Sequence, residues 1–106
     1  MRARLPRKIP AAFSFAPEIA RQDAWGWLEE ISASRARLST LCALRLDERL
    51  FLDFSIGDRR LGPGAARVSL AEKGEDGFFR AELAFTDELF KRKLSRAILR
   101  MLAAAA

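Results

Sequence analysis

The run Glu29-Glu30-Ile31-Ser32-Ala33-Ser34-Arg35-Ala36-Arg37-Leu38-Ser39-Thr40 decides where everything on either side of it belongs. Two carboxylates precede an apolar residue, two hydroxyls follow, then two arginines. That order suits the polar end of a helix, and equally a strand turning into the next. Upstream, Pro17-Glu18 looks like the first turn of a helix. At 100° per residue, Ala20, Ala24, Trp27, Leu28 and Ile31 then share one stripe. Against this, Gly26 costs a helix about 1 kcal/mol relative to Ala, and Trp25 falls off the stripe. Taken as a strand, Trp25, Trp27, Glu29 and Ile31 share a mostly apolar face. Local propensity alone leans towards helix.

Composition narrows the function classes. With 106 residues, half of them hydrophobic, the chain is one domain with a modest core. Cys42 has no second cysteine to pair with, which suits a reducing compartment and a cytoplasmic location. Its apolar neighbours mark it as core. Histidine is absent, removing the usual general base and the commonest metal ligand. No phosphate-binding glycine loop and no nucleophile–base spacing is visible, so an enzyme is not expected. The net charge of +5 fits an anionic partner, or simply solvated arginines. No apolar run approaches the roughly 20 residues of a membrane span. The basic start followed by Pro10 does not read as a secretory signal.

Downstream the pattern is clearer. Residues 2–8 are basic, hold Pro6, and are expected as an exposed arm preceding a single domain over 9–106. Phe13 and Phe15 alternate with Ser14 as in a strand. Leu50, Leu52, Phe54 and Ile56 share one strand face, with Phe51 the exception on the other. Gly57-Asp58 suits a type II′ hairpin turn that sets Phe54 opposite Leu61. The apolar set Ala66, Val68 and Leu70 has the opposite parity to Leu61, so a bulge is expected at Gly62-Pro63-Gly64. Phe79, Ala81, Leu83 and Phe85 alternate in a third strand of an antiparallel meander. Thr86 is the expected N-cap of a final helix, with Phe85 stapled to Phe90. Phe90, Leu94, Ala97, Ile98 and Met101 form its apolar stripe, and Arg92, Arg96 and Arg100 an opposite ladder.

Taken in order, these pieces resemble the PilZ domain family. Arg4-Leu5-Pro6-Arg7-Lys8-Ile9-Pro10 is similar to the family's basic opening. Glu30-Ile31-Ser32-Ala33-Ser34-Arg35 is similar to its Asp-x-Ser-x-x-Gly turn. The segments Arg49–Phe54, Ala66–Val68 and Phe79–Phe85 resemble later barrel strands, and the final helix resembles the family's C-terminal one. The resemblance implies a six-stranded antiparallel β-barrel with a C-terminal α-helix. It turns Trp25–Ile31 into a strand, against local propensity. It also implies a bacterial regulatory domain, of the kind that receives cyclic di-GMP in motility, pilus, exopolysaccharide or virulence control.

The residues that would grip cyclic di-GMP under this resemblance are Arg4, Arg7, Glu30, Ser32 and Arg35. Arginines offer bidentate donors to phosphate and guanine and stack on the bases. The carboxylate accepts from guanine, and the serine adds a neutral hydrogen bond. The sequence departs from the pattern in three places. Ala3 replaces the first arginine, Glu30 is one methylene longer than aspartate, and Arg35 stands at the glycine position. A left-handed backbone there would cost an arginine about 1–2 kcal/mol. These departures point to weak or absent nucleotide binding, and to an adaptor acting through a protein partner. Its candidate contacts are Phe51, Phe78, Arg92, Arg96 and Arg100. The plainer reading is that Phe51 and Phe78 are covered by the helix or the arm, and that the arginines are the solvated back of the helix. A basic nucleic-acid-binding module is a further alternative; it rests on charge alone. Asp53-Phe54-Ser55-Ile56-Gly57 imitates the turn motif, but with its glycine one residue early and inside a strand.

Overall fold

The computed structural model describes the backbone of residues 2–19 and 21–105, and the side chains of 8–19 and 21–104. Six strands, β1 (Arg2–Phe15), β2 (Ala24–Ser32), β3 (Arg35–Thr40), β4 (Arg49–Ile56), β5 (Arg59–Lys73) and β6 (Phe79–Phe85), precede one helix, α1 (Glu88–Ala105). The strands close into an antiparallel barrel in the order β1-β2-β3-β6-β5-β4. Closure leaves no free sheet edge for another chain to extend.

The barrel is filled by alternation. Leu50, Leu52, Phe54 and Ile56 of β4 point inward with Phe13, Leu28, Leu38, Val68 and Leu83. The β4–β5 turn is the expected one: Gly57 takes φ 62°, Ile56 pairs with Arg59, and Phe54 faces Leu61. The bulge is also where parity placed it. Leu52 pairs with Gly64, so Asp53 alone faces both Gly62 and Pro63.

Three expectations need correcting, and each has a local cause. The stretch Ala24–Ser32 is a strand, as the resemblance implies and against local propensity, but Trp25 and Ile31 do not share its inner face as simple alternation expects. Leu28 pairs with Leu38 but Glu30 with Arg37, so Glu29 is an extra residue. This bulge brings both Leu28 and Ile31 inward and leaves Trp25 60% exposed. Gly26 also points inward, where a Cβ would lie 2.5 Å from the Ser39 carbonyl oxygen. The residue that weakens a helix is the one this strand crossing requires.

Leu70 leaves the core in the same way. Val68 faces Leu83 but Leu70 faces Glu82, so Ser69 is extra; its hydroxyl donates to the Glu82 carbonyl at 3.0 Å. The slip turns Leu70 outward and Ala71 towards Ala81. The helix cap moves by one residue as well. Asp87 Oδ1 accepts from the amides of Leu89 (3.0 Å) and Phe90 (3.4 Å), whereas the Thr86 amide still donates to Ala65 of β5. The Phe85–Phe90 contact survives the shift, with ring centroids 5.1 Å apart.

Helix α1 rests mainly on β5, with lighter contact to β2, β4 and β6. Phe90 is its plug. The ring meets Phe54 edge-on at 6.2 Å and sits over Gly64, where a Cβ would approach it to 2.5 Å. Leu94, Ala97 and Ile98 complete the buried stripe. Among the described residues, no helix is long and apolar enough to cross a membrane.

The backbone of the basic stretch expected as an arm forms the start of β1. Arg2, Ala3 and Arg4 pair with Ser32, Ile31 and Glu30, and the register then breaks before Ile9. Pro6 lies inside that break, where its missing N–H costs no ladder bond.

Candidate functional site

The site implied by the resemblance centres on the turn from β2 into β3. Ser32 is 8% exposed. Its hydroxyl accepts from the amides of Arg35 (3.0 Å) and Ser34 (3.4 Å) and donates to the Arg35 carbonyl (3.2 Å). One donor and two lone pairs are all a hydroxyl has, so this serine is committed to closing its own turn. Arg35 opens β3 opposite Ala84. Among the described non-glycine residues Asp47 is the one with positive φ. Arg35 therefore escapes the left-handed strain that a glycine position suggested.

The flanking charges answer one another across the sheet. Glu30 lies opposite Arg4 of β1 on one side and Arg37 of β3 on the other, and Arg37 lies opposite Glu82 of β6. Arg35 Nη1 also reaches Glu82 Oε1 at 3.6 Å. Among the described side chains the facing residues alternate in sign across β2, β3 and β6, an arrangement worth roughly 0.2–1 kcal/mol per pair that makes contact; Arg35–Glu82 makes it, and Arg37 forms no ion pair among the described residues. The cavity among Glu30, Ile31, Arg35, Ala36, Arg37 and Glu82 measures about 10 Å³, room for a single water.

The structure thus brings Glu30, Ser32 and Arg35 together, with the Arg4 backbone alongside. The side chains of Arg4 and Arg7 lie outside the described residues, and Arg7 falls in the register break of β1.

The candidate partner contacts are dispersed. Phe51 is 36% exposed on β4, between Ser14 and Ala65 of the neighbouring strands. Phe78 is half-buried at the turn before β6. Arg92, Arg96 and Arg100 are exposed on the outer side of α1. Sequence reasoning passed over Leu89, which stands 67% exposed beside them. It also passed over a cleft of about 310 Å³ where the β4–β5 hairpin meets α1, walled by Ile56, Ala97 and Met101 and edged by Arg59 and Arg100. The i, i+4 spacing of Ala97 and Met101 gave helix packing but not the hairpin across from it.

Charge is handled differently on barrel and helix. Lys8, Arg35, Arg60, Arg67 and Arg80 each meet a carboxylate within ion-pair range. Arg80 hydrogen-bonds Asp76 and, with the Phe78 amide, holds that carboxyl below its ordinary range. Arg21 is clamped between Glu48 and the Ala43 carbonyl, with the Phe15 ring beneath it. On α1, Lys91 pairs with Glu88 at 3.1 Å. Arg92, Lys93, Arg96 and Arg100 form no ion pair among the described residues.

A closed six-stranded antiparallel barrel followed by a packed C-terminal helix is the PilZ-like fold that the resemblance implies. The chain is similar to Escherichia coli YcgR, solved in complex with cyclic di-GMP, with a TM-score of 0.76 and 14% identity over 99% of this chain and 46% of that one. It is also similar to the Bacillus subtilis inhibitor of motility MotI/DgrA, with a TM-score of 0.71 and 13% identity over 96% of this chain and 51% of that one. The chain thus spans about half the length of each, and the likeness is one of fold. No family model and no curated protein matches the sequence.

Proposed function

We propose that this chain is a non-enzymatic regulatory domain that acts through contacts with a protein partner and binds cyclic di-GMP weakly or not at all. One observation carries the reading. The turn that would receive the nucleotide spends its serine hydroxyl on its own backbone, pairs Arg35 with Glu82, and encloses space for about one water. Binding a dinucleotide there means first breaking contacts that already satisfy these groups. The fold likeness to an inhibitor of motility fits a role in motility control. Pilus, exopolysaccharide or virulence control belongs to the same regulatory class.

A second reading is a working cyclic di-GMP receptor. Its support is that the similar YcgR structure holds this ligand, and that Arg2–Arg4 run beside Glu30–Ser32. In it, Arg4, Arg7, Glu30, Ser32 and Arg35 surround a ligand lying on the outer surface of the barrel.

Calorimetric titration with cyclic di-GMP separates the two. The adaptor reading expects a flat titration, unchanged by Arg7→Ala. Micromolar or tighter binding that Arg7→Ala abolishes would establish the receptor instead.

A further inference from the structure

The outer stripe of α1 and the cleft beside it form one continuous surface. Leu89, Lys93, Arg96 and Arg100 follow the i, i+4, i+7, i+11 spacing and so stand in a line along the helix. All four are exposed. Arg100 ends the line at the rim of the cleft, which Ile56 of β4 and Ala97 and Met101 of α1 wall with apolar surface. Arg59, from the hairpin, adds a cation on the far rim, and Asp58 stands beside it. Lys93, Arg96, Arg100 and Arg59 make no ion pair among the described residues. By contrast, Lys8, Arg35, Arg60, Arg67 and Arg80 on the barrel strands each meet a carboxylate.

We infer that this surface docks an acidic peptide segment of a partner protein, with one apolar side chain seated in the cleft and carboxylates laid along Lys93, Arg96 and Arg100. The inference rests on the adaptor reading and names the chemistry of its partner. Charge complementarity selects the sign. The cleft selects the kind of molecule, because its walls are aliphatic and offer no ring on which a nucleic-acid base stacks. A buried apolar anchor ringed by charged contacts is the usual anatomy of a binding hot spot. The cleft's volume suits one or two side chains rather than a folded domain. A lipid surface fits less well: Leu99 and Leu102 are also exposed on α1 but lie off this line, so the apolar residues form no single stripe beside the cations.

A random dodecapeptide library displayed on phage tests the idea against the whole chain. The expected winners carry several Asp or Glu residues and one large apolar residue. Their affinity should fall with added salt. It should drop roughly tenfold or more in the double variant Arg96→Glu/Arg100→Glu. A comparable drop is expected in Ala104→Trp, because Ala104 is exposed and also lines the cleft, so a ring there fills it. Near-ultraviolet circular dichroism confirms that both variants keep the fold. A neutral or basic consensus overturns the inference. So does acidic-peptide binding that neither variant weakens, or an empty selection alongside Arg96-dependent binding to phosphatidylserine vesicles. The adaptor reading is judged separately, by the nucleotide titration. A flat titration with no dependence on α1 sinks only the docking surface, while tight nucleotide binding sinks the adaptor reading whatever the peptides do.

Discussion

The β2–β3–β6 wall and the outer face of α1 are both rich in arginine, yet they are built in opposite ways. On the wall, Glu30, Arg37 and Glu82 alternate across paired strands, and Arg35 reaches Glu82. Arg35 thus meets a carboxylate there, while Arg37 faces Glu30 and Glu82 in register and forms no ion pair among the described residues. On the helix, Arg92, Lys93, Arg96 and Arg100 stand together, and Glu88 is taken by Lys91. The difference follows from geometry. Adjacent strands lie about 4.8 Å apart and can exchange charge sideways. One face of a lone surface helix has only its own i±3 and i±4 neighbours, and for these four cations Glu88 is the one carboxylate among them. A charge satisfied within the fold resists recruitment by a ligand, because binding must first undo a contact. A charge facing only water is free to meet a partner. The same residue type therefore reads as structure in one place and as a docking group in the other.

Removing the plug breaks the comparison outright. Phe90→Ala empties the space between Phe54, Phe85 and Gly64 and should cost about 3–5 kcal/mol in denaturant unfolding. Because α1 would lose its seat, peptide binding should fail in this variant even under conditions where the barrel persists. Unchanged stability would mean that the helix is held by other contacts.

A smaller change sharpens the contrast. Ser32→Ala deletes all the side-chain hydrogen bonds of the β2–β3 turn and should cost about 1–2 kcal/mol of stability. Peptide binding at α1 should not move. If stability holds while nucleotide binding shifts, the hydroxyl serves a ligand and the wall is not the self-satisfied structure described here.

Much of the barrel was legible where local rules act alone. The Gly57-Asp58 turn set the β4–β5 register, and the parity change across Gly62-Pro63-Gly64 marked the bulge. What escaped were the bulges without such a signature. An extra Glu29 places Leu28 and Ile31 inward three residues apart, which is also the spacing of one helix face. A strand carrying a bulge thus imitates a helix in a periodicity count, and only pairing with β1 and β3 tells them apart. Leu70 was misplaced for the same reason, by the extra Ser69. The Asp87 cap was missed because Thr86 and Asp87 are both good capping residues; in the structure the Thr86 backbone still belongs to the sheet, its amide donating to Ala65, and the helix starts one residue later. Of the candidate site, the turn at Ser32 was legible through resemblance. The charge pairing was not, since it depends on which strands adjoin and in what register.

The most direct test of the account is a map of backbone amide shifts on the labelled chain, recorded with excess cyclic di-GMP and then with a selected acidic peptide. The account predicts silence at Ser32–Arg37 with the nucleotide, and shifts along Leu89–Met101 and at Gly57–Arg59 with the peptide. Nucleotide-induced shifts centred on Ser32–Arg37, with α1 unmoved by the peptide, would contradict it.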